Sequence, residues 1–262
     1  MLSLSAEAST AKAVSGIKSY CVPHYYHSKS SPLAVAQRLS KICKDITYTQ
    51  VCRGFKSIAV AKKALAAAAK ISSITTVFCV TGDNASKSDV SIFDLIRAVD
   101  KRRFKVAAAV VFTRKNEAAR MVRKIEAGAT EFYTQPVFPG NIGALVSVLQ
   151  RLPPKVLCSV RIGVLIPFSA AACRRIANEK PGFISDKTLV ERLAAAERKG
   201  HEAAYTETAK IAQEAMTLAG ELAEKSSKVA GIHLYGLTGR TFGKGKNMTR
   251  VTAGQLLRRI LH

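Results

Sequence analysis

Short apolar runs alternate along this chain with segments whose apolar residues recur at the spacing of an α-helix. The runs are rich in β-branched and aromatic residues, a composition typical of buried strands. Regular alternation of strands and helices predicts parallel strands joined by right-handed crossovers. Seven strands are predicted, at residues 19–26, 46–52, 75–81, 105–112, 131–138, 156–166 and 229–237.

Helical periodicity fills the intervals between these strands. Pro32 behind Ser30 and Ser31 is a helix-start signal, and Gly128 is a helix-stop signal. Six helices are predicted between strands, at residues 32–44, 57–70, 90–99, 116–127, 142–151 and 170–177. An insertion before the last strand predicts two Ala- and Glu-rich helices at 186–198 and 201–226, and 252–261 predicts a closing helix.

This rhythm predicts an α/β fold of the (β/α)8 type, a TIM barrel, formed as a single domain over residues 1–262. Residues 239–262 are expected to add a basic tail with a helix. A complete barrel needs an eighth strand, and the remaining candidate is residues 2–5, where apolar and polar residues alternate. The first βα unit is therefore expected to be trimmed, or the barrel to be incomplete on that side.

The net charge of the chain adds one property to this predicted fold, because the protein is strongly basic. The 262 residues carry a net charge of +23, with a sequence pI near 10.1. Nine of the eighteen acidic residues lie between positions 179 and 224, and none follows position 224. Such an excess predicts a polyanionic partner, such as RNA or a large ribonucleoprotein or protein assembly. A generally basic solvated surface is the alternative.

Cysteine usage and hydropathy limit the environment of the protein. Six cysteines are scattered without CxxC spacing, a pattern typical of buried thiols in a reducing compartment. No apolar run reaches the length of about 18 residues that a membrane span requires, so we expect a soluble protein without a transmembrane segment. Residues 1–14 match a transit peptide poorly as they stand. The expected location is mitochondrial, with the cytoplasm as the alternative.

The stretch EAGATEFYTQPVF at residues 126–138 is the most informative motif. It predicts a helix that ends at Gly128 and a strand whose carboxyl end carries Thr134 and Gln135, the end at which barrel enzymes hold their ligands. In order along the chain, six motifs resemble landmarks of the flavin-dependent methylenetetrahydrofolate reductase family: SPLAVA at 31–36, TQVCR at 49–53, VTGD at 80–83, IEAGATEFYTQPVF at 125–138, GVLIP at 163–167 and GIHLY at 231–235.

The resemblance implies a (β/α)8 barrel that holds FAD at the strand ends. In that family a reduced nicotinamide, NAD(P)H, gives hydride to the flavin, which passes it to methylenetetrahydrofolate. By motif position, the catalytic roles fall on Glu7 as the acid, Asp83 as the carboxylate near the pterin and Gln135 as the orienting amide. Cofactor binding falls on Thr49, Gly82, Arg123 and Lys124, and folate-side contacts fall on Tyr235 and Arg240.

Departures from the family pattern concentrate at the expected flavin site. Thr49 replaces the usual histidine, and Thr81 stands where the Arg-Gly-Asp triplet usually begins. The aromatic-proline and His-Pro segment of the family reads VFTRKN at 111–116. Glu7 is the one N-terminal acid and lacks the double proline that normally follows it. The chain is therefore identified as a divergent or degenerate member.

Several candidate residues also have a purely structural interpretation. Asp83 could cap a turn, and Gln135 could be a strand-end amide satisfied by its neighbours. Arg123 and Lys124 could lie on a solvated helix face. His233 is expected to pack inside the sheet. His24 and His27 are spaced loosely and lack companions, so no metal site is predicted.

Three functions remain open from the sequence. The first is a catalytically degenerate barrel, without a cofactor, that serves as a structural, RNA-contacting subunit of a larger organellar assembly. The second is an active reductase that uses FAD and NAD(P)H on methylenetetrahydrofolate. The third is a folate- or nucleotide-binding protein without turnover.

Overall fold

Seven parallel strands form one sheet, and their order in the sheet is their order along the chain. The structure, a computed structural model, describes residues 19–22, 31–82, 89–167, 169–179, 183–184, 186–236, 240–242, 249–251 and 253–261. Within this part of the chain the strands are β1 (Tyr20–Val22), β2 (Ile46–Val51), β3 (Ile74–Val80), β4 (Lys105–Val110), β5 (Glu131–Pro136), β6 (Ser159–Leu165) and β7 (Val229–Tyr235).

The sheet is curled into a half-barrel. Thr47 on β2 and Tyr133 on β5 have two strands between them, yet their hydroxyl oxygens lie 3.4 Å apart. Neighbouring strands are about 5 Å apart, so a flat sheet would separate β2 from β5 by about 14 Å. The concave face is therefore an interior in which side chains of distant strands meet.

Helices connect every pair of consecutive strands, as parallel pairing requires. Nine α-helices lie within the described residues: α1 (Pro32–Leu39), α2 (Ile58–Ala69), α3 (Ile92–Ala98), α4 (Glu117–Glu126), α5 (Ile142–Gln150), α6 (Ala170–Glu179), α7 (Lys187–Lys199), α8 (His201–Lys225) and α9 (Ala253–Leu261). A 3-10 turn, Cys52–Gly54, follows β2. Three of the helices, α6 to α8, stand between β6 and β7.

Local sequence explains where several helices begin. The side chains of Ser31, Ser57 and Ser91 each accept a hydrogen bond from a backbone N–H of the first helical turn. Asp186 does the same for α7. Pro32 occupies the first turn of α1, where its missing N–H costs nothing. These caps satisfy donors that a helix start otherwise leaves unpaired.

One apolar core joins the sheet to the helices. It includes the C-terminal segment, because Val251, Leu256 and Ile260 are buried against the same cluster as the strands. A second, smaller core lies under α6 to α8. Its buried members are Phe138, Leu165, Ala170, Cys173, Ile184, Leu189, Leu193 and Ile211.

The seven predicted strands and the nine predicted helices are confirmed within the described residues, with bounds that differ by a few residues. The proposed eighth strand at residues 2–5 lies outside them. Sequence patterns missed a short antiparallel hairpin, β8 (Arg240–Phe242) with β9 (Thr249–Val251). Three-residue strands are too short to show a period of two.

The cysteines and the helices bear on the reducing, non-membrane environment that the sequence predicts. All six cysteines are free thiols; Cys52, Cys79 and Cys173 are buried, and the other three are half-buried. Burial raises the pKa of the Cys21 thiol to about 11 and that of Cys52 to about 12. Among the helices of the described chain, none is long and apolar enough to cross a membrane.

Candidate functional site

The carboxyl ends of the parallel strands gather four of the predicted site residues at one end of the half-barrel. Thr49 is near the end of β2, Gly82 follows β3, Gln135 is near the end of β5, and Tyr235 ends β7. Glu7 and Asp83 lie outside the described residues. The backbone of Arg240 begins β8, shortly after β7 in the chain.

Gln135 is buried and engaged by protein. Its side-chain Nε2 donates to the hydroxyl of Thr113, at 3.3 Å, in the connection after β4. Only 5% of the residue is exposed. This contact agrees with the structural interpretation of Gln135 as a satisfied strand-end amide. Its role in orienting a pterin stays a prediction.

The preceding residue, Thr134, replaces part of the ladder between β5 and β6. The register shifts between Tyr133 and Pro136, and the hydroxyl oxygen of Thr134 accepts a hydrogen bond of 2.8 Å from the N–H of Gly163. The same hydroxyl donates to the carbonyl of Gln135 at 2.8 Å. Irregularities of this kind commonly re-aim a side chain or end the pairing of a strand.

Gly163 is required by this close approach. A Cβ atom at this position would lie 2.6 Å from the carbonyl oxygen of Thr134 and 2.7 Å from that of Gln135. Both atoms belong to the backbone, so they cannot rotate away. The glycine of the GVLIP motif therefore has a packing explanation that needs no ligand.

Tyr235, the last residue of β7, contacts the carboxyl end of β5. Its hydroxyl donates to the carbonyl oxygen of Thr134 at 2.8 Å, across β6. Burial raises the pKa of Tyr235 well above its usual value, so the phenol is neutral and available as a donor at any physiological pH. The predicted contact of Tyr235 with folate stays a prediction.

His233 packs between two tyrosine rings, as expected from its place in the strand. Its ring stacks on Tyr133 with 5.0 Å between centroids and meets the edge of Tyr235 at 4.6 Å. Burial, with a smaller contribution from the charge of Arg161, lowers the pKa of His233 to about 4. The imidazole is therefore neutral at pH 7 and acts as part of an aromatic cluster that also includes Phe78.

Sequence reasoning missed an ion-pair cluster at the amino end of the half-barrel. The carboxylate of Glu131 lies 3.5 Å from Nε of Arg161 and 3.8 Å from Nζ of Lys105. The hydroxyl of Tyr133 donates to the same carboxylate at 3.4 Å. Burial, and to a smaller extent the nearby carboxylate, raises the pKa of Tyr133 to about 12. The available signal was a charged residue at the first position of two adjacent strands.

Lys124 is buried, so the alternative that it lies on a solvated helix face is wrong. Its ammonium donates to a carboxylate oxygen of Glu117 at 3.1 Å and to the carbonyl of Ala109 at 2.6 Å. Burial lowers the pKa of Lys124, and Glu117 opposes that shift. Glu117 is also fully buried, and its second oxygen lies 3.5 Å from Nε of Arg120.

Arg123 differs from its neighbour because it is exposed. Its guanidinium lies 4.2 Å above the ring of Phe93, which belongs to α3. A cation over an aromatic face is a favourable contact at a surface. This geometry fastens α4 to α3, and the proposed contact of Arg123 with cofactor phosphates stays a prediction.

Thr49 and Gly82 are the two residues near strand ends that the resemblance assigns to cofactor binding. The Thr49 hydroxyl lies 3.3 Å from the sulfur of Cys21, and 6% of the residue is exposed. Gly82 has φ of 91°, which favours glycine, and a Cβ there would lie 2.6 Å from a methyl of Val51. Both residues have close protein neighbours.

Two further observations bear on identity. Among the described residues, no group of three or more His, Cys, Asp or Glu could hold a metal ion, and His24 and His27 lie outside that part of the chain. No protein-family model matches this chain, and no curated protein sequence matches it significantly. The resemblance to the reductase family therefore depends on the order and spacing of the six motifs.

Proposed function

We propose that this protein is a catalytically degenerate methylenetetrahydrofolate reductase-like barrel that serves as a structural, RNA-contacting subunit of a larger mitochondrial assembly. The curled seven-stranded sheet is compatible with most of a (β/α)8 barrel. The proposal places the eighth strand near the N-terminus. It assigns no hydride transfer to this chain.

One observation carries the proposal: the candidate site residues are engaged by neighbouring protein groups. Gln135 bonds to Thr113, Tyr235 bonds to the backbone of β5, and Thr49 contacts a thiol. Lys124 forms an ion pair with the buried carboxylate of Glu117. A ligand that displaced these partners would cost about 1–3 kcal/mol for each polar group that it left unsatisfied.

The residues present do not fit the FAD that the resemblance implies. A phosphate partner for Lys124 would have to replace Glu117, which would leave a fully buried carboxylate without its lysine. Breaking such a pair typically costs about 3–5 kcal/mol. Thr49 supplies a hydroxyl where the family has an imidazole. We therefore derive no catalytic step through a flavin.

The charge of the chain supports the RNA part of the proposal. A net charge of +23 over 262 residues far exceeds the magnitude of about 2–8 that suffices for solubility. Lysine and arginine bind phosphates through release of condensed counterions and need no specific motif. A basic scaffold that has lost its cofactor site is suited to contact RNA within an assembly.

Fractionation of a gently prepared native extract by size, with and without ribonuclease, tests this function. The expected result is that the protein migrates with a large complex and shifts to smaller sizes after ribonuclease treatment. Migration as a free protein of about 28 kDa in both samples would contradict the proposal.

An active reductase is the second candidate, and the placement of Gln135, Thr49 and Tyr235 near the carboxyl ends of parallel strands favours it. Reconstitution with FAD, NAD(P)H and methylenetetrahydrofolate is the assay. If turnover is found and Gln135→Leu abolishes it while Gln150→Leu, on the exposed end of α5, does not, the enzyme function replaces the scaffold function.

A further inference from the structure

The connections that lead into the strands, at the amino end of the half-barrel, are strongly basic. Six connections precede β2 to β7, at residues 40–45, 70–73, 99–104, 127–130, 151–158 and 226–228. Together they hold nine basic residues and two acidic ones, Asp45 and Asp100. The basic residues are Lys41, Lys44, Lys70, Lys101, Arg102, Arg103, Arg151, Lys155 and Lys228.

Three of these basic residues hold the connections in place. The ammonium of Lys101 donates to three carbonyls at the end of α3, the nearest at 3.1 Å. Arg103 donates to the carbonyl of Ile71 at 3.0 Å and so ties the connection before β4 to the one before β3. Lys228 donates to the carbonyl of Val156 at 2.9 Å. These three cations therefore hold the connections at the amino end of the half-barrel in place.

The remaining basic side chains of this end are exposed, and two of them also lie near an acid, Arg102 at 3.5 Å from Asp100 and Lys105 at 3.8 Å from Glu131. The side chain of Arg102 is 94% exposed, and that of Lys105, the first residue of β4, is 68% exposed. We call the exposed set the basic rim; it comprises Lys41, Lys44, Lys70, Arg102, Lys105, Arg151 and Lys155. Because β2, β3 and β4 are neighbours about 5 Å apart, the connections before them bring their cations to the same end of three adjacent strands.

We infer that the basic rim is the surface through which this protein contacts RNA. A set of exposed cations on connections that Lys101, Arg103 and Lys228 hold in place matches the repeated phosphates of a nucleic-acid backbone. Lysine, which supplies five of the seven rim residues, is depleted in protein–protein interfaces. Leu157, 88% exposed, is the one strongly exposed large apolar side chain of this end in the described chain, too little for insertion into a membrane.

This inference rests on the proposed function and specifies its surface. The carboxyl end of the half-barrel provides a matched control, because four exposed basic residues, Arg53, Lys56, Arg114 and Lys115, lie in the connections that follow β2 and β4. A rim variant carries Lys44→Gln, Lys70→Gln, Arg102→Gln and Lys155→Gln. The control variant carries Gln at the four carboxyl-end positions. Both lose four positive charges, so a difference between them reports position and not net charge.

Fluorescence anisotropy with a labelled single-stranded RNA of about 30 nucleotides, over salt from about 50 to 200 mM, tests the surface. The rim variant is expected to bind at least about tenfold more weakly than wild type and to lower the salt slope by about 2–3, since each lost phosphate contact on a single strand removes about 0.7. The control variant is expected to change affinity by less than about threefold and the slope by less than about 1.

The outcomes separate the surface from the function. Equal losses in the two variants would overturn the rim as the contact surface while RNA contact itself survived. Absence of binding by wild type at the lowest salt would overturn both. Binding of poly-glutamate or of phosphatidylserine vesicles in preference to RNA would overturn the inference in favour of an acidic protein or a membrane. Circular dichroism melts check that both variants are folded.

Discussion

Lys124 and Glu117 form an ion pair inside the core, with 3.1 Å between the ammonium nitrogen and a carboxylate oxygen. The same carboxylate oxygen accepts a hydrogen bond of 3.3 Å from the N–H of Val111, and the ammonium donates to Ala109. The pair therefore fastens α4 to the carboxyl end of β4. A residue that family resemblance assigns to a cofactor serves the fold in this chain.

Lys124→Met is expected to lower the free energy of unfolding by about 3–5 kcal/mol, because it leaves the buried carboxylate of Glu117 with only the N–H of Val111 and the more distant Arg120 as partners. Urea denaturation measures this loss. Arg123→Met, one position away but exposed, is the control and is expected to cost less than about 1 kcal/mol. A Lys124→Met protein as stable as the control would contradict the structural role. The double variant with Glu117→Gln is expected to recover part of the loss.

Gly163→Ala is expected to destabilise the protein by about 2 kcal/mol or more, because its methyl group would meet two backbone carbonyls that cannot move aside. Gly220→Ala, in the exposed part of α8, would place its methyl group with no atom within 4 Å, and it is expected to stabilise by about 0.5–1 kcal/mol. Thermal melts of both variants check the pair. Equal effects would show that β5 and β6 do not approach each other this closely.

His233 predicts a pH dependence of stability. Its pKa is about 4 in the folded protein and 6.5 ordinarily, so between these values the unfolded state binds more protons than the folded state. The stability that the neutral His233 contributes is therefore fully present above about pH 6.5 and is lost as the pH falls toward 4. From pH 7 to pH 5 this group is expected to remove about 2 kcal/mol, given about 1.4 kcal/mol for each pKa unit.

Urea midpoints of wild type and His233→Phe at both pH values isolate this contribution. The phenylalanine keeps the stacking between Tyr133 and Tyr235 but cannot take up a proton. The loss between pH 7 and pH 5 should therefore be smaller in the variant by about 2 kcal/mol. Identical pH dependence in the two proteins would mean that the imidazole is not shielded from water.

The fold was largely predictable from the sequence because its strands and helices are long enough to show their periods. Pro32 and Gly128 marked helix ends that the structure confirms to within a residue or two. The β8–β9 hairpin could not be predicted in this way, since three residues carry no period. The glycine-rich sequence around it is more typical of a loop.

The candidate site was less predictable, because its contacts join residues far apart along the chain. Glu131 meets Arg161 and Lys105 because β5 lies between β4 and β6 in the sheet, and a linear pattern does not encode the order and register of the strands. The burial of Lys124 had a usable signal: Glu117 lies seven residues earlier, on the same face of the predicted helix. Because Glu117 and Lys124 are both charged, that face of the helix was expected to be exposed to solvent.

The visible absorbance spectrum of gently purified protein, followed by denaturation to release any flavin, tests the central claim most directly. We expect a colourless protein that releases no stoichiometric flavin and takes up no added FAD, because Lys124 and Thr49 are engaged within the fold. One flavin per chain, with a bound-flavin spectrum, would contradict the scaffold function and restore the reductase.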